Sequence, residues 1–329
     1  CEGIMKIGRI ALSAFVGVPI ALLYGLLVRL TFTSDKPFSL ALSTMTCGFL
    51  FIVPIAIGAL TVRLAPNELR RSIPYAIFAP WVSIFIVAIA SVAVYLEAAI
   101  CVVMAIPLFM AFSSLGGYIV MATHKDKNGP SSFQNTMLGI ILLAPYIVTP
   151  FEMRVPEYDS YRAVENQIII NAPANRVWEN IISIPYINVE NQDFSMFHSI
   201  GIPKLMEASL SHQGIGGVRI AKFDNGLSFV ETVMSWNEFN SVSFSINPNQ
   251  ESPAPAPFNM VGGQYFAVTE MNYWIEETGN DKVILHLRSQ HRVTTHFNSY
   301  AGIWTDLMLS NLQSYVLRMI KARAESSFQ

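Results

Sequence analysis

The sequence is short of charge and of cysteine. Only 13% of its 329 residues are charged, against about a quarter in an ordinary soluble domain. Its 21 Lys and Arg face 23 Asp and Glu, so no basic surface is expected for phosphates, and nucleic acid is not an expected partner. The three cysteines, Cys1, Cys47 and Cys101, lie far apart in the chain, which indicates neither a disulfide framework nor a cysteine zinc site.

The shortage of charge is concentrated in the first half of the chain. Residues 1–150 carry nine Lys/Arg and five Asp/Glu, a net of +4, whereas 151–329 carry twelve and eighteen, a net of −6. Four apolar stretches of the first half reach the roughly 20 residues that a helix needs to cross a membrane. A fifth has a shorter apolar core and ends at Pro150. We therefore predict an α-helical polytopic membrane domain over 1–155 with four or five spans, at about 10–30, 38–62, 73–96, 98–122 and 132–151.

Proline occurs in every predicted span, at positions 19, 54, 80, 107 and 145. An interior proline costs a helix in water about 3 kcal/mol, whereas packed membrane helices tolerate it because neighbouring groups bond the freed carbonyl. We interpret the prolines as kinks in packed helices. The alternative, broken helices around a transported substrate, needs polar or charged groups in the middle of the membrane. Glu97, the one candidate, falls where a turn is predicted.

The positions of Lys and Arg predict how the spans are oriented. No small-x-small cleavage site follows Leu23, so the first span is interpreted as retained rather than as a signal peptide. With five spans, the inside segments carry seven Lys/Arg and the outside segments four. This predicts an integral protein of the cell membrane with a cytoplasmic N-terminus and the C-terminal half on the outer or periplasmic side. If only four spans cross the membrane, the same N-terminal orientation places the C-terminal half in the cytoplasm.

The second half, 156–329, changes from long apolar runs to alternation. A strand is predicted over 164–172, an amphipathic helix over 175–183, and a hairpin around Asp224, Asn225 and Gly226. Further alternating runs lead to one long helix over about 300–324. This order predicts an α+β domain in which a curved antiparallel sheet wraps around the C-terminal helix. The space between sheet and helix is the expected binding cavity.

Three segments and the closing helix resemble the START and Bet v 1-like (SRPBCC) superfamily, in particular its polyketide cyclase and lipid transport branch. The segments are 164–178 (VENQIIINAPANRVW), 214–219 (GIGGVR) and 229–236 (FVETVMSW). The resemblance covers about 160–325, roughly half of the chain, and does not extend to the membrane spans. It implies a helix-grip fold around a hydrophobic pocket. Members of the superfamily bind lipids, sterols, polyketides or hormones, and a minority catalyse cyclisation or dehydration.

The predicted hairpin brings two opposite charges together. Its register places Ala221 opposite Phe229 and Arg219 opposite Glu231, all on one face of the sheet. If that face is concave, the ion pair lies in the pocket and is placed to orient a ligand carboxylate or carbonyl. If it is convex, the pair is solvated and contributes well under 1 kcal/mol. The apolar neighbours of the pair favour the concave face. The candidate cavity residues are Arg219, Ala221, Phe229 and Glu231 from the hairpin, and Trp304, Met308, Asn311 and Tyr315 from the final helix.

No metal or cofactor site is predicted. His286, His291 and His296 are five residues apart, so successive histidines point to opposite faces of a strand, and we interpret them as edge or surface residues.

The favoured function is a membrane-anchored protein that binds a lipid or another hydrophobic small molecule. One alternative is an enzyme of cyclase or dehydratase type with Arg219, Glu231 or a histidine as acid or base. Another is a ligand sensor coupled to the membrane spans. No catalytic residue is assigned.

Overall fold

The computed structural model divides the chain into two compact units, Cys1–Pro156 and Glu157–Gln329, and each is described by itself. The structure describes residues 17–32, 44–95, 97–123, 132–186, 196–249, 251, 258, 261–279 and 281–326. The first parts of the two N-terminal predicted spans therefore lie outside the described residues, as do residues 187–195, between the first helix and the second strand of the second unit.

The described part of the first unit is helical. Its helices are α1 (Gly17–Thr31), a π-helical turn (Gly48–Ile52), α2 (Val53–Arg63), α3 (Asn67–Arg70), α4 (Ile73–Ala93), α5 (Ala99–Ala122) and α6 (Ser132–Glu152). Three segments are long and apolar enough to cross a membrane: Ile73–Ala93, Ala99–Ala122 and Asn135–Glu152. They coincide with three of the five predicted spans. Two shorter apolar helices, Val18–Thr31 and Gly48–Arg63, lie in the other two.

Proline acts differently in different helices of this unit. Pro80 and Pro107 lie inside α4 and α5, and α6 continues through both Pro145 and Pro150. Within the described part of the predicted span over 38–62, a π-helical turn leads directly into α2. Pro54 lies in the first turn of α2, directly after this π-helical turn.

Helices α2 and α5 approach each other closely at two glycines. A Cβ atom added to Gly58 would lie 1.8 Å from the carbonyl oxygen of Ser113, and one added to Gly116 would lie 2.0 Å from that of Ile55. Small residues at such crossings let backbones pack directly, which is a common way for membrane helices to associate. Glu97 lies in the turn between α4 and α5, as predicted, and its carboxylate is 2.7 Å from Arg29.

The second unit is a seven-stranded antiparallel sheet with a 29-residue C-terminal helix, which confirms the predicted α+β architecture. The strands are β1 (Tyr158–Ile170), β2 (Leu205–Leu210), β3 (Val218–Phe223), β4 (Ser228–Asn237), β5 (Ser241–Pro248), β6 (Phe266–Gly279) and β7 (Lys282–Thr295). The helices are α7 (Ala174–Ile182), α8 (Met196–Ser199) and α9 (Asn298–Ser326). The spatial order is β1-β7-β6-β5-β4-β3-β2.

The core of this unit lies between the sheet and its helices. The apolar face predicted for α7 is confirmed, because Val177, Trp178, Ile181 and Ile182 are all buried. They join inward residues of the strands and of α9 in one cluster. Strand β1 begins earlier than predicted, at Tyr158, because its whole length pairs with β7.

Candidate ligand-binding cavity

A cavity lies between the concave face of the sheet and α9. The volume of this cavity is about 80 Å³. Its wall is mostly apolar and includes Ala208, Ala221, Phe223, Phe229, Ile246, Met271, Leu287, Leu309, Leu312 and Val316. Ligand pockets typically combine such a wall with a few polar groups. The polar residues of this wall are Arg219, Glu231, Tyr273, Ser289 and Gln313.

The hairpin between β3 and β4 positions the charged part of the wall. Arg219 pairs with Glu231, and Ala221 with Phe229, so the predicted register is confirmed. All four residues line the cavity, which places this face on the concave side. The charged side chains are almost fully buried, with exposed fractions of 3% for Arg219 and 7% for Glu231.

The guanidinium of Arg219 is bonded to the protein itself. Nε donates to Oε2 of Glu231, and Nη1 donates to the carbonyl of Ile181. The aromatic ring of Phe244 lies 4.1 Å from the guanidinium carbon. Burial acts to lower the pKa of Arg219, but Glu231 and Tyr273 outweigh it, so the pKa lies above its ordinary value. The pair therefore presents no net charge to the cavity.

The cavity-facing side of α9 differs from the predicted one. Trp304, Met308 and Asn311 are half-buried and do not line the cavity. Tyr315 is buried in the core, where its ring lies 4.9 Å from that of His198. The side chains of α9 that line the cavity are those of Leu309, Leu312, Gln313 and Val316.

This difference has a physical cause in the contact between α9 and β1. At Gly302 an added Cβ would lie 2.8 Å from the guanidinium of Arg162, which is bound to Asp306, so the glycine leaves room for this ion pair between the helix and β1. Thr305 is buried on the same side. Large apolar residues such as Ile303 and Leu307 are displaced outward and are half exposed. The prediction that Trp304, Met308, Asn311 and Tyr315 line the cavity did not take this contact into account.

A row of polar contacts between α9 and strands β1 and β7 was not predicted from the sequence. Arg162 binds the carboxylate of Asp306 through two N–H groups. Gln313 accepts from Asn166 at 2.8 Å and donates to Ser289 at 2.9 Å. The signal in the sequence is the polar pair Ser289 and His291 at alternate positions of β7, on the inward face that is otherwise apolar.

The histidines lie on both faces of the sheet, as their spacing predicts. His286 is on the outer face, where its ring stacks on Trp274 at 4.6 Å. The interpretation of His291 as an edge or surface residue is wrong, because it is fully buried. Its Nε2 lies 3.0 Å from Thr305 Oγ1 and 3.3 Å from a carboxylate oxygen of Asp306. Within the described ranges, no group of three or more His, Cys, Asp or Glu side chains is placed to hold a metal.

The environment of His291 predicts a loss of stability in acid. Burial lowers its pKa, and Arg162 lowers it further, against an opposing effect of Asp306. The unfolded imidazole, with a pKa of about 6.5, therefore binds protons more readily than the folded one. This contribution to stability is complete above that pH and is lost as the pH falls below it towards the folded pKa.

We expect the free energy of unfolding to fall more between about pH 7.5 and pH 5 in the wild type than in His291→Gln, by up to about 1.4 kcal/mol per pH unit between the two pKa values. Urea unfolding of both proteins at each pH measures this difference. Equal pH dependence in the two proteins would contradict the assignment.

Comparison with known proteins places the chain in no family. No family model and no curated protein matches it. Among solved structures, the Zhui aromatase/cyclase from Streptomyces sp. R1128 matches at 12% identity and a TM-score of 0.36, over 52% of this chain and 97% of that one. Norcoclaurine synthase from Thalictrum flavum matches at 11% identity and a TM-score of 0.32, over 52% of this chain and 88% of that one. Because both TM-scores are below 0.5, these matches assign the chain to no superfamily, and the resemblance to START and Bet v 1-like proteins stays a prediction.

Proposed function

We propose that the second unit binds an uncharged, largely apolar small molecule or lipid in the cavity, and that the apolar helices of the first unit anchor the protein in a membrane. The observation that carries this proposal is the composition of the cavity wall, in which mostly apolar side chains surround one ion pair that is already neutralised.

The charges of the wall favour an uncharged ligand over the carboxylate considered from the sequence. Arg219 and Glu231 are in contact, and Arg219 also donates to a backbone carbonyl. A ligand carboxylate would have to compete with Glu231 for the guanidinium in a site of low dielectric constant, where separating the pair is costly. An uncharged ligand leaves the pair intact.

Anchoring in a membrane suits a ligand of this kind. Three apolar helices are long enough to span the bilayer, and β1 begins at Tyr158, six residues after α6 ends at Glu152. A poorly soluble molecule is concentrated in the bilayer, so a domain tethered by a short segment meets it at high local concentration. The bilayer is thus the proposed partner, and the outer or periplasmic location of the second unit stays a prediction.

The size of the cavity limits what enters without rearrangement. A cavity volume of about 80 Å³ has room for several water-sized groups. We expect a longer chain to displace flexible wall residues such as Met271, because methionine adapts its shape readily.

Filling the cavity is expected to abolish binding. Ala221 lines the cavity and is 3% exposed. We expect Ala221→Leu to lower the amount of co-purifying ligand at least about tenfold, because the added methyl groups occupy the ligand's space. The full chain is purified in lipid nanodiscs, and the extract is analysed by mass spectrometry for apolar molecules enriched over the disc lipids.

The matched control is Ala163→Leu, which makes the same change at an exposed position of β1. We expect it to retain the wild-type level of ligand. Equal occupancy in Ala221→Leu and the wild type, or a wild-type extract that contains only disc lipids, would contradict the proposal.

The arrangement of the ion pair also bears on the enzyme alternative. A general acid or base needs a proton that it gives or takes near neutral pH. Arg219 is held in its charged form, and burial raises the pKa of Tyr273. Both features favour binding over cyclase or dehydratase chemistry, and binding is the function that we propose.

A further inference from the structure

One nitrogen of His291 has no partner in the described part of the chain. The side chain is 0% exposed, and its Nδ1 makes no hydrogen bond there. Leaving a buried polar atom unpaired costs about 1–3 kcal/mol. Such atoms are uncommon in folded proteins, so each one calls for a physical explanation.

The contacts of the other ring nitrogen define what Nδ1 can bind. The hydroxyl of Thr305 donates to the carbonyl of Gly302 at 3.1 Å, and the carboxylate of Asp306 has no hydrogen to donate. The hydrogen between His291 and these two residues therefore belongs to Nε2. A neutral imidazole carries a single N–H, so Nδ1 presents a bare lone pair and acts only as an acceptor.

The neighbours of His291 belong to the cavity wall. Val268 pairs with His291 across β6 and β7, and it lines the cavity. Ser289, two residues earlier on the same face of β7, lines it too, as does Leu309, one turn beyond Thr305 on α9. His291 is not itself a wall residue and is 0% exposed; it lies next to these wall residues on β7, where α9 covers it.

The ring is also held in place. Arg162 donates from Nε to Asp306 at 2.9 Å and makes a second bond to the same carboxylate. Asp306 and Thr305 together fix the Nε2 side of the imidazole. A buried acceptor that is fixed in this way resembles the preorganised polar groups that orient ligands in apolar pockets.

We propose that His291 is a ligand-binding residue whose Nδ1 accepts a hydrogen bond from a hydroxyl group on an otherwise apolar ligand. This inference rests on the proposed function, because it takes the cavity as the ligand site. It narrows the ligand class to apolar alcohols. Hydrocarbons, ethers and ketones of the same shape have no hydrogen to donate to this nitrogen and leave it unpaired.

The test compares octan-1-ol with its methyl ether. In the ether a methyl group replaces the hydroxyl hydrogen, so the oxygen has no hydrogen to donate. Binding to the full chain in lipid nanodiscs is measured and corrected for partition into empty discs. We expect the wild type to prefer the alcohol over the ether about five- to tenfold, as one buried hydrogen bond predicts. With ¹⁵N-labelled histidine, we also expect the alcohol, and not the ether, to move the Nδ1 resonance of His291 to lower frequency.

Two variants of β7 test whether Nδ1 of His291, and not a general change in the strand, causes the preference for the alcohol. His291→Gln places its amide near the Nε2 position, so it keeps a polar contact with Thr305 and loses the acceptor at Nδ1. We expect its preference for the alcohol to fall to about one. His286→Gln makes the same change on the outer face and is expected to retain the wild-type preference.

The possible results distinguish this inference from the proposed function. Equal binding of alcohol and ether by the wild type overturns the role of His291 and leaves the cavity as a binding site. An Nδ1 resonance that is already in the hydrogen-bonded position, and that the alcohol does not change, identifies a buried water as its partner and also overturns that role. Binding of neither probe, together with the absence of any enriched co-purifying molecule, overturns the proposed function itself.

Discussion

Replacing Glu231 by leucine is expected to lower the free energy of unfolding of the second unit by about 3–5 kcal/mol. The change leaves the guanidinium of Arg219 charged and without its carboxylate, on a side chain that is only 3% exposed. Four of the five tryptophans, Trp178, Trp236, Trp274 and Trp304, belong to this unit, so unfolding of the full chain by urea is followed through tryptophan fluorescence.

The control for this prediction removes both charges. In a variant that combines Arg219→Met with Glu231→Leu, no charge is buried, and we expect most of the lost stability to return. Glu207→Gln breaks the solvated pair with Lys222, whose side chain is 55% exposed, and should cost less than about 1 kcal/mol. A double variant as unstable as Glu231→Leu would show that the loss comes from packing and not from the unpaired charge.

Alanine at Gly58 is expected to destabilise the helical first unit by about 3 kcal/mol or more. Its Cβ would lie 1.8 Å from the backbone carbonyl of Ser113, and a backbone atom cannot rotate away as a side chain can. Helices α2 and α5 would have to separate along their crossing. Thermal unfolding of the full chain in one detergent, followed by circular dichroism, measures the effect.

Gly139 supplies a control with the opposite expected sign. It lies in α6, and an added Cβ meets nothing within 4 Å. Because alanine favours the helix by about 1 kcal/mol over glycine, Gly139→Ala should leave stability unchanged or raise it slightly. If both substitutions have the same effect, the close crossing at Gly58 is not what stabilises this unit.

Local sequence patterns were sufficient where the structure depends on neighbours in the chain. The turn at Asp224, Asn225 and Gly226 needs a residue that accepts positive φ, and Gly226 adopts 86°. That turn sets the register of β3 and β4, so the pairing of Arg219 with Glu231 followed from sequence alone. The apolar face of α7 followed from helical periodicity in the same way.

Patterns failed where burial depends on a distant partner. The helical spacing of α9 was visible, but which stripe faces inward depends on Arg162 and Asn166, about 140 residues away in the chain, which bond Asp306 and Gln313. His291 looks like an edge residue in the sequence and is buried because α9 covers it. No local pattern contains this information.

The sequence by itself determined the two-part distribution of charge and apolar residues, the apolar helices long enough for a membrane, the antiparallel strands and the register of the charged hairpin. These properties depend on composition and on periods of two and 3.6 residues, which act within short segments. The tertiary structure alone decided which face of the sheet is concave, which side of α9 lines the cavity and that His291 lies buried beside it. Each of these depends on the packing of elements far apart in the chain, where close approach and hydrogen bonding, and not hydrophobicity alone, select the residues that turn inward.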